Sequence, residues 1–292
     1  PVSPFATALR LTPRTAGGMA PIRDRGALPP QVRSWLLSAR AAHGVAMICL
    51  LAAVAFLMHL VLTHQFQYTY VYRYSSRDLP LHYLVSAFWA GQEGTFLLWA
   101  FLTACLGLVL MKWKHELKSA AMFFLNLPLV MLTLVSVMRG PFLRSTEVFT
   151  DGVGLNPLLQ DYWMTIHPPV LFLGFSSFVV PFAIAGAALW KRDYDGWVKP
   201  VMPWVVFSTA VQATGFIMGG VWAYKVLGWG GYWGWDPVEN AAFLPWLVGT
   251  AFLHSVIIQE KRGMLKVWNM FLVIGARSEE RRVGKECLRL CR

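Results

Sequence analysis

The sequence predicts an all-α, polytopic integral membrane protein, with about six complete transmembrane helices and a truncated seventh. Three observations predict this fold class. The 292 residues are 56% hydrophobic and only 14% charged, whereas soluble globular domains carry roughly 25% charged residues. The apolar residues form continuous runs near the ~20 residues that a helix needs to cross a bilayer. The charged residues lie in the gaps between these runs, as is typical of membrane proteins.

Six apolar runs define the predicted transmembrane helices, at 44–62, 82–111, 119–138, 168–190, 201–223 and 241–258. A seventh run, 264–276, is too short to span. The chain is therefore predicted to comprise an N-terminal cytoplasmic arm (1–43), a transmembrane domain (44–276) and a tail (277–292). Because the first residue is Pro1 and not Met, the sequence is interpreted as a fragment at its start.

The tail, 277-RSEERRVGKECLRLCR-292, is interpreted as non-native sequence. It brings six basic and three acidic residues directly after an unfinished apolar run, and charged side chains are costly inside a bilayer. We therefore expect the natural reading frame to continue differently after residue 276.

The distribution of positive charge predicts the orientation in the membrane. Fifteen Lys and Arg lie in the arm and in the loops 112–118, 191–199 and 260–266, whereas five lie in the other gaps. Since positive residues favour the cytoplasmic side, the N-terminus is predicted to be cytoplasmic. The outward-facing segments are then 63–81, 139–167 and 224–240. Membrane topology thus accounts for the net charge of +11, and no nucleic-acid partner is predicted.

An aromatic cluster in the segment 224–240, here called the Trp-rich loop, is the most distinctive feature of the sequence. Its core residues are Trp229, Gly230, Gly231, Tyr232, Trp233, Trp235 and Asp236. Glycine allows a ligand to approach the backbone closely, and the aromatic rings offer stacking faces. The loop therefore indicates a flat ligand, with haem as the first candidate and a carbohydrate as the alternative.

Four other tryptophans are interpreted as ordinary interfacial residues. They are Trp190, Trp197, Trp222 and Trp246.

His167 and His254 are the two histidines that we single out. His167 precedes Pro168–Pro169, which we place in the first turn of the fourth span, so it stands at the outer surface on the side of the loop. It is either a metal ligand or a capped residue at the start of that helix. His254 lies within the sixth span, roughly 20 Å below the loop, and is expected to face the bundle interior. It is either a metal ligand or a hydrogen-bonded core residue.

Glu93, in the sequence GQEG, is a further polar residue within a span. It marks either a break in the helix or a group that positions a ligand or a proton.

Three stretches, 86–101, 154–175 and 227–255, resemble the CcmF type of the Trp-rich, haem-handling proteins of cytochrome c biogenesis, a superfamily that also includes CcmC and CcsA. They fall in the family's order and spacing, and the resemblance covers about 44–276. Tyr232 stands where CcmF members often have Trp, but it keeps an aromatic face.

The resemblance implies a haem lyase subunit of the bacterial inner membrane. It would bind substrate haem on the periplasmic Trp-rich loop, with His167 as an axial ligand, and present it for attachment to the CxxCH motif of an apocytochrome c. His254 would ligate a permanent b-type haem within the bundle. The second histidine of each pair lies further along the family's chain, beyond residue 276.

The implied partners are a CcmE-type haem chaperone, CcmH-type apocytochrome-binding subunits, apocytochrome c, quinol and membrane lipid. The main alternative is a haem exporter or relay without an attachment step. A glycan ligase that stacks sugars on its tryptophans is a weaker alternative.

Overall fold

The computed structural model describes residues 30–147, 149–228 and 230–278. Within these ranges the protein is helical, and the only β pairing is an isolated antiparallel bridge between Tyr68 and Arg144. Six helical segments are long and apolar enough to cross a membrane, which confirms the predicted all-α membrane bundle. Residues 1–29 of the predicted arm, Trp229 and residues 279–292 of the tail lie outside the described ranges.

Ten α-helices occur in the described ranges. They are α1 (Pro30–Leu62), α2 (Thr69–Tyr74), α3 (Leu81–Ser86), α4 (Gln92–Lys112), α5 (Lys118–Arg139), α6 (Tyr162–Ser177), α7 (Val179–Lys191), α8 (Val198–Val226), α9 (Pro237–Arg262) and α10 (Lys266–Ser278). Helix α1 begins well before the predicted start at residue 44, because residues 30–43 are mostly good helix formers such as Ala, Leu and Arg.

The second predicted span, 82–111, is broken into two helices. Helix α3 passes into a 3₁₀ turn, Ala87–Trp89, and α4 starts afresh at Gln92. The buried hydroxyl of Tyr70 donates to the carbonyls of Ala87 and Phe88, at 2.9 and 2.8 Å. A Cβ atom at Gly94 would overlap the Phe88 carbonyl oxygen, so the tight turn requires glycine there. The break places Glu93 in the first turn of α4.

The fourth predicted span begins earlier than expected. The side chain of Asp161 caps α6 by accepting a hydrogen bond from Trp163 N at 2.8 Å. Pro168–Pro169 therefore lie in the second turn, and their predicted placement in the first turn is wrong. Proline has no N–H to donate within a helix, so the Met164 carbonyl loses its partner at Pro168. The indole N–H of Trp89 donates to that carbonyl instead, at 3.4 Å.

Contacts between loops show which ends of the helices lie together. The Lys191 ammonium donates to the Glu116 carbonyl at 2.7 Å, and the Gln259 amide donates to the Tyr194 carbonyl at 3.0 Å. The basic loops 112–118, 191–199 and 260–266 therefore meet at one end of the bundle, as their charge predicts. At the other end, the Tyr83 hydroxyl donates to the Gln160 carbonyl at 3.0 Å.

Helices α6 and α8 form the tightest interhelical contact around the site. A Cβ atom at Gly215 of α8 would come within 2.7 Å of the Leu171 Cα, and one at Gly219 within 3.4 Å of the His167 ring. Small residues allow helix backbones to approach closely in membranes. The glycines of α8 therefore bring His167 directly against this helix.

Candidate functional site

The His167 imidazole is held in one tautomer by its own helix. Its Nδ1 lies 2.9 Å from the Trp163 carbonyl oxygen. A carbonyl can only accept, so Nδ1 carries the proton and donates it. The lone pair is then on Nε2. Metal-binding histidines commonly have this arrangement, in which one ring nitrogen donates to a carbonyl and the other binds the metal.

The Trp222 side chain packs against the face of the His167 imidazole. The two rings are stacked, with centroids 5.7 Å apart and planes at 28°. Trp222 is itself fixed, because its indole N–H donates to the Leu158 carbonyl at 3.2 Å. Trp222 therefore has a packing role at His167 that the interfacial interpretation did not include. Trp222 lies one turn after Gly219 on α8, and because residues three apart share a helix face, both contact the same imidazole.

Trp197 also departs from the interfacial prediction. It is fully buried, at 0% exposure, and packs against Phe252 with ring centroids 5.8 Å apart. It belongs to the core at the basic end of the bundle, where α7, α8 and α9 meet.

The Trp-rich loop presents two aromatic rings at the surface. Tyr232 is 58% exposed and stacks on Tyr224, with centroids 4.4 Å apart and planes at 7°. Trp235 is 70% exposed and has φ +56°, a left-handed conformation that is strained for a bulky residue. The Asn240 side chain donates to the Trp235 carbonyl at 3.0 Å. The loop therefore holds Trp235 in an exposed position that the backbone alone would not favour.

Trp233 has a different role, because it anchors the loop. Its ring meets those of Phe216 and Phe243 edge-on, with centroids 6.1 and 5.8 Å away. Its indole N–H is buried and has no acceptor among the described residues. Trp233 thus fixes the loop to α8 and α9, while Trp235 and Tyr232 offer their faces.

Asp236 acts structurally as the N-cap of α9. Its Oδ1 accepts hydrogen bonds from Val238 N at 2.6 Å and Glu239 N at 2.8 Å. The Glu239 carboxylate in turn accepts from Gly234 N at 2.8 Å. This pair of bonds satisfies backbone donors at the start of the helix and ties the loop to it. Gly230 has φ +67°, a conformation that glycine adopts without strain.

The structure brings His167 and the Trp-rich loop to the same turn of α8. A Cβ atom at Gly219 would contact the His167 ring, and one at Gly220 would lie 2.9 Å from the Tyr232 carbonyl oxygen. Gly219 therefore contacts the candidate ligand His167, and the next residue, Gly220, contacts the Trp-rich loop. Their predicted location on a common side of the bundle agrees with this geometry.

A cavity of about 420 Å³ opens beside His167. Its walls come from α4 and the turn before it, from α6, from the start of α9 and from the last turns of α2 and α5. They carry the charged side chains of Arg73, Glu93 and Arg139. The exposed rings of the Trp-rich loop do not line it. Glu93 therefore both follows a helix break and faces a cavity, so the two interpretations of its role are compatible.

His254 does not face the bundle interior formed by the described residues. Its side chain is exposed, and within the described ranges it has no hydrogen-bond partner. It lies 18 residues along α9 from the Asp236 cap, which is about 27 Å at 1.5 Å per residue. Phe252, Val256 and Gln259 form the buried stripe of this part of α9, and His254 lies off that stripe. The expectation that it points inward is therefore wrong.

The exposure of the His254 side chain determines how a haem would fit there. The imidazole is exposed and has no partner among the described residues, so it is suited to bind iron on one side. Because it is exposed, the described residues enclose such a site only in part.

Comparison with known proteins identifies relatives over most of the chain. Residues 89–276 match the family described as cytochrome C assembly protein. The chain is 40% identical to the cytochrome c-type biogenesis protein CcmF of Pseudomonas fluorescens over 264 residues, which is 85% of this chain and 38% of that protein. It is 37% identical to CcmF of Escherichia coli K12 over 237 residues, covering 75% of this chain and 35% of that one.

A solved structure is also similar. The cytochrome c heme lyase CcmF superposes with a TM-score of 0.70 and 32% sequence identity, over 88% of this chain and 43% of that chain. The present chain thus spans about two fifths of the length of the curated relatives it matches.

Proposed function

Because this chain belongs to the cytochrome c assembly protein family and is of the CcmF type, we propose that it is a haem lyase component. In this proposal it binds haem beside the Trp-rich loop and presents it for covalent attachment to the CxxCH motif of an apocytochrome c. The membrane is the bacterial inner membrane, with the loop on the periplasmic side and the N-terminus in the cytoplasm.

The observation that carries the proposal is the state of His167. Its Nδ1 donates to a backbone carbonyl, Trp222 supports the ring, and Nε2 keeps its lone pair. An imidazole so held is prepared to bind iron without reorganisation. The neighbouring loop adds the exposed faces of Trp235 and Tyr232, against which a flat macrocycle can stack.

The attachment reaction requires little acid–base catalysis from the protein. Each cysteine thiol adds across one vinyl group of haem, so the sulfur bonds to one carbon and the proton ends on the other. The protein's contribution is to orient the haem and to hold its edge towards the peptide. His167 would fix the iron, and the loop would fix the plane of the ring.

His254 is proposed as an axial ligand of a permanent b-type haem. Such a haem, when bound, supplies electrons that keep the substrate iron ferrous, with quinol as their source. Since His254 is exposed on α9, this haem would lie on the outer face of the described helices. Its other side would be covered by a segment outside the described residues or by another subunit.

The proposed partners follow from the same assignment. A CcmE-type chaperone would deliver haem to the loop, and CcmH-type subunits would bring the apocytochrome. Both would act at the end of the bundle that carries His167.

The proposal is tested by haem titration of the purified chain in mild detergent, followed by absorption spectra of the oxidised and dithionite-reduced forms. We expect a Soret shift that His167→Ala abolishes for the substrate haem. His254→Ala is the matched control, because it removes an imidazole about five turns along α9 from the Trp-rich loop and should leave the shift of the substrate haem in place. A shift that His254→Ala removes belongs to the proposed b-type haem. A shift of undiminished size in the His167→Ala, His254→Ala double variant would contradict the assignment.

A second experiment separates haem attachment from haem relay. The haem-loaded chain is mixed with a reduced CxxCH-containing apocytochrome, the accessory subunits and a reductant, and covalent haem is detected by haem staining after denaturation. Attachment supports the lyase proposal. Haem that transfers without ever becoming covalent would favour the exporter or relay.

A further inference from the structure

Three charged side chains around the cavity beside His167 have no partner among the residues that the structure describes. Arg73 lies in the last turn of α2, Arg139 in the last turn of α5, and Glu93 in the first turn of α4. All three line the cavity. Among the described residues none of them makes a hydrogen bond or an ion pair, and the only salt bridge there joins Lys266 to Asp195. The cavity rim therefore carries a net positive charge.

The rest of the cavity is apolar and aromatic. Its lining includes Phe96, Trp99, Phe172 and Phe175, of which Trp99 and Phe175 are buried. Trp99 is only 4% exposed, and its indole N–H has no acceptor among the described residues. The lining of the cavity therefore includes a packed aromatic surface.

Exposure differs among these lining residues. Arg73 is exposed and Arg139 is half-buried, whereas Trp99 is buried. The lining therefore combines cations that are open to solvent with apolar aromatic rings. A cavity of this kind matches a flat, apolar molecule that carries carboxylates along one edge.

We propose that Arg73 and Arg139 bind the two carboxylates of the haem whose iron His167 ligates. This inference rests on the function proposed above and adds the residues that recognise the haem edge. Since the exposed rings of the Trp-rich loop do not line the cavity, one haem would have to extend from the arginines in the cavity, past His167, to the loop. Guanidinium groups bind carboxylates through paired, charge-assisted hydrogen bonds. Because the two arginines come from different helices, they fix the rotation of the macrocycle about the His167–iron axis. That rotation decides which way the vinyl groups point.

Glu93 opposes the arginines at the same rim. Its negative charge repels a carboxylate that approaches Arg73 or Arg139. Neutralising it with Glu93→Gln should therefore tighten the binding of haem. The sign is opposite to that expected for the arginine variants, so general damage to the cavity cannot produce both results.

The test compares haem with haem dimethyl ester, in which both carboxylates are esterified. The wild-type chain in detergent is titrated with each compound and the Soret shift is recorded. We expect haem to bind about a hundred-fold more tightly than the ester. Arg73→Gln and Arg139→Gln should each lower the affinity for haem about ten-fold and leave the affinity for the ester unchanged, since a charged hydrogen bond contributes at least ~1.4 kcal/mol.

Two variants serve as controls. Arg77→Gln changes an exposed arginine of the same segment that stacks on Phe66 at 5.9 Å and does not line the cavity, so it should keep the full preference for haem. Arg139→Lys keeps the charge and should retain part of the preference, which guards against misfolding of Arg139→Gln. Glu93→Gln should increase the preference.

The outcomes separate this inference from the proposed function. If haem and its ester bind equally well, and binding still depends on His167, then haem binding stands and the arginine assignment is wrong. If neither compound binds to the wild-type chain, the proposed function and the arginine assignment both fail. A loss of haem preference in Arg73→Gln or Arg139→Gln, but not in Arg77→Gln, supports the assignment.

Discussion

His167 shows how a single residue is prepared by its neighbours in the helix. Its Nδ1 bonds to the Trp163 carbonyl one turn back, and Pro168 directly after it removes one backbone donor from α6. Trp89 replaces that donor at the Met164 carbonyl. The turn of α6 that carries the imidazole is therefore stabilised by two side-chain hydrogen bonds, one from His167 and one from Trp89, although two prolines follow His167.

We predict that Trp222→Leu weakens haem binding without removing a ligand. The imidazole would lose the stacked ring at 5.7 Å, so the rotamer suited to iron would be less populated. Trp222→Phe keeps an aromatic face and serves as the control. Haem affinity from titration should fall about ten-fold in the leucine variant and much less in the phenylalanine variant. Equal affinities would show that the stacking does not position His167.

The two tryptophans of the loop should separate binding from stability. Trp235 is 70% exposed, so Trp235→Ala should lower haem affinity and leave the thermal unfolding temperature in detergent nearly unchanged. Trp233 anchors the loop among Phe216 and Phe243, so Trp233→Ala should weaken haem binding and also cost about 2–4 kcal/mol of stability. The assignment of roles is wrong if Trp235→Ala unfolds the protein or binds haem normally.

At the scale of elements, side-chain hydrogen bonds at the helix ends fix the shape of the site. The Trp-rich loop is joined to α9 by the Asp236 cap and the Glu239 carboxylate. The break between α3 and α4 is held by the Tyr70 hydroxyl. In both places side-chain hydrogen bonds fix the end or the start of a helix. The first lies at the Trp-rich loop and the second lies beside the cavity.

We predict that Asp236 contributes to haem binding through the helix cap and not through its charge. Asp236→Ala should cost about 1 kcal/mol of stability and weaken haem binding by loosening the loop. Asp236→Asn retains the capping oxygen and should bind haem almost as the wild type does. A large loss of haem affinity in Asp236→Asn would instead indicate direct contact between the carboxylate and the ligand.

Tyr70→Phe should loosen the broken second span. Burial raises the pKa of the Tyr70 hydroxyl well above its ordinary value, so the group remains a neutral donor to the Ala87 and Phe88 carbonyls at any physiological pH. Its removal takes a donor from both carbonyls, of which Ala87 keeps a bond from Ala90 N at 3.2 Å, and should cost about 1–3 kcal/mol. Thermal unfolding measures the loss, and hydrogen exchange should increase around residues 87–91. A stability equal to that of the wild type would mean that the glycines alone maintain the break.

At the scale of the whole molecule, a chain of polar side chains attaches the short helix α10 to the bundle. Asn269 is fully buried, donates to the Gln259 amide oxygen at 2.7 Å and meets the Ser255 hydroxyl. Gln259 continues the chain to the Tyr194 carbonyl. Buried polar networks of this kind specify how helices pack in an apolar environment.

We predict that Asn269→Leu releases α10 from α9. The substitution leaves polar groups of Gln259 and Ser255 without their partner, which is costly inside an apolar bundle. Limited proteolysis or hydrogen exchange should show faster opening of residues 266–276. Lys266→Ala is the control, because the exposed ion pair of Lys266 with Asp195 contributes at most about 1 kcal/mol. Equal protection of both variants would contradict this role of Asn269.

The sequence by itself determined the membrane fold, the positions of most spans, the grouping of the basic loops at one end and the aromatic character of the loop around Trp233 and Trp235. These features depend on run length, charge and composition, which are local properties of the chain. Only the tertiary structure decided that Trp222 supports His167, that Arg73, Glu93 and Arg139 share a cavity, and that His254 faces outward. These relations join residues far apart in the sequence, and helix rotation and packing set them, so no local pattern could encode them.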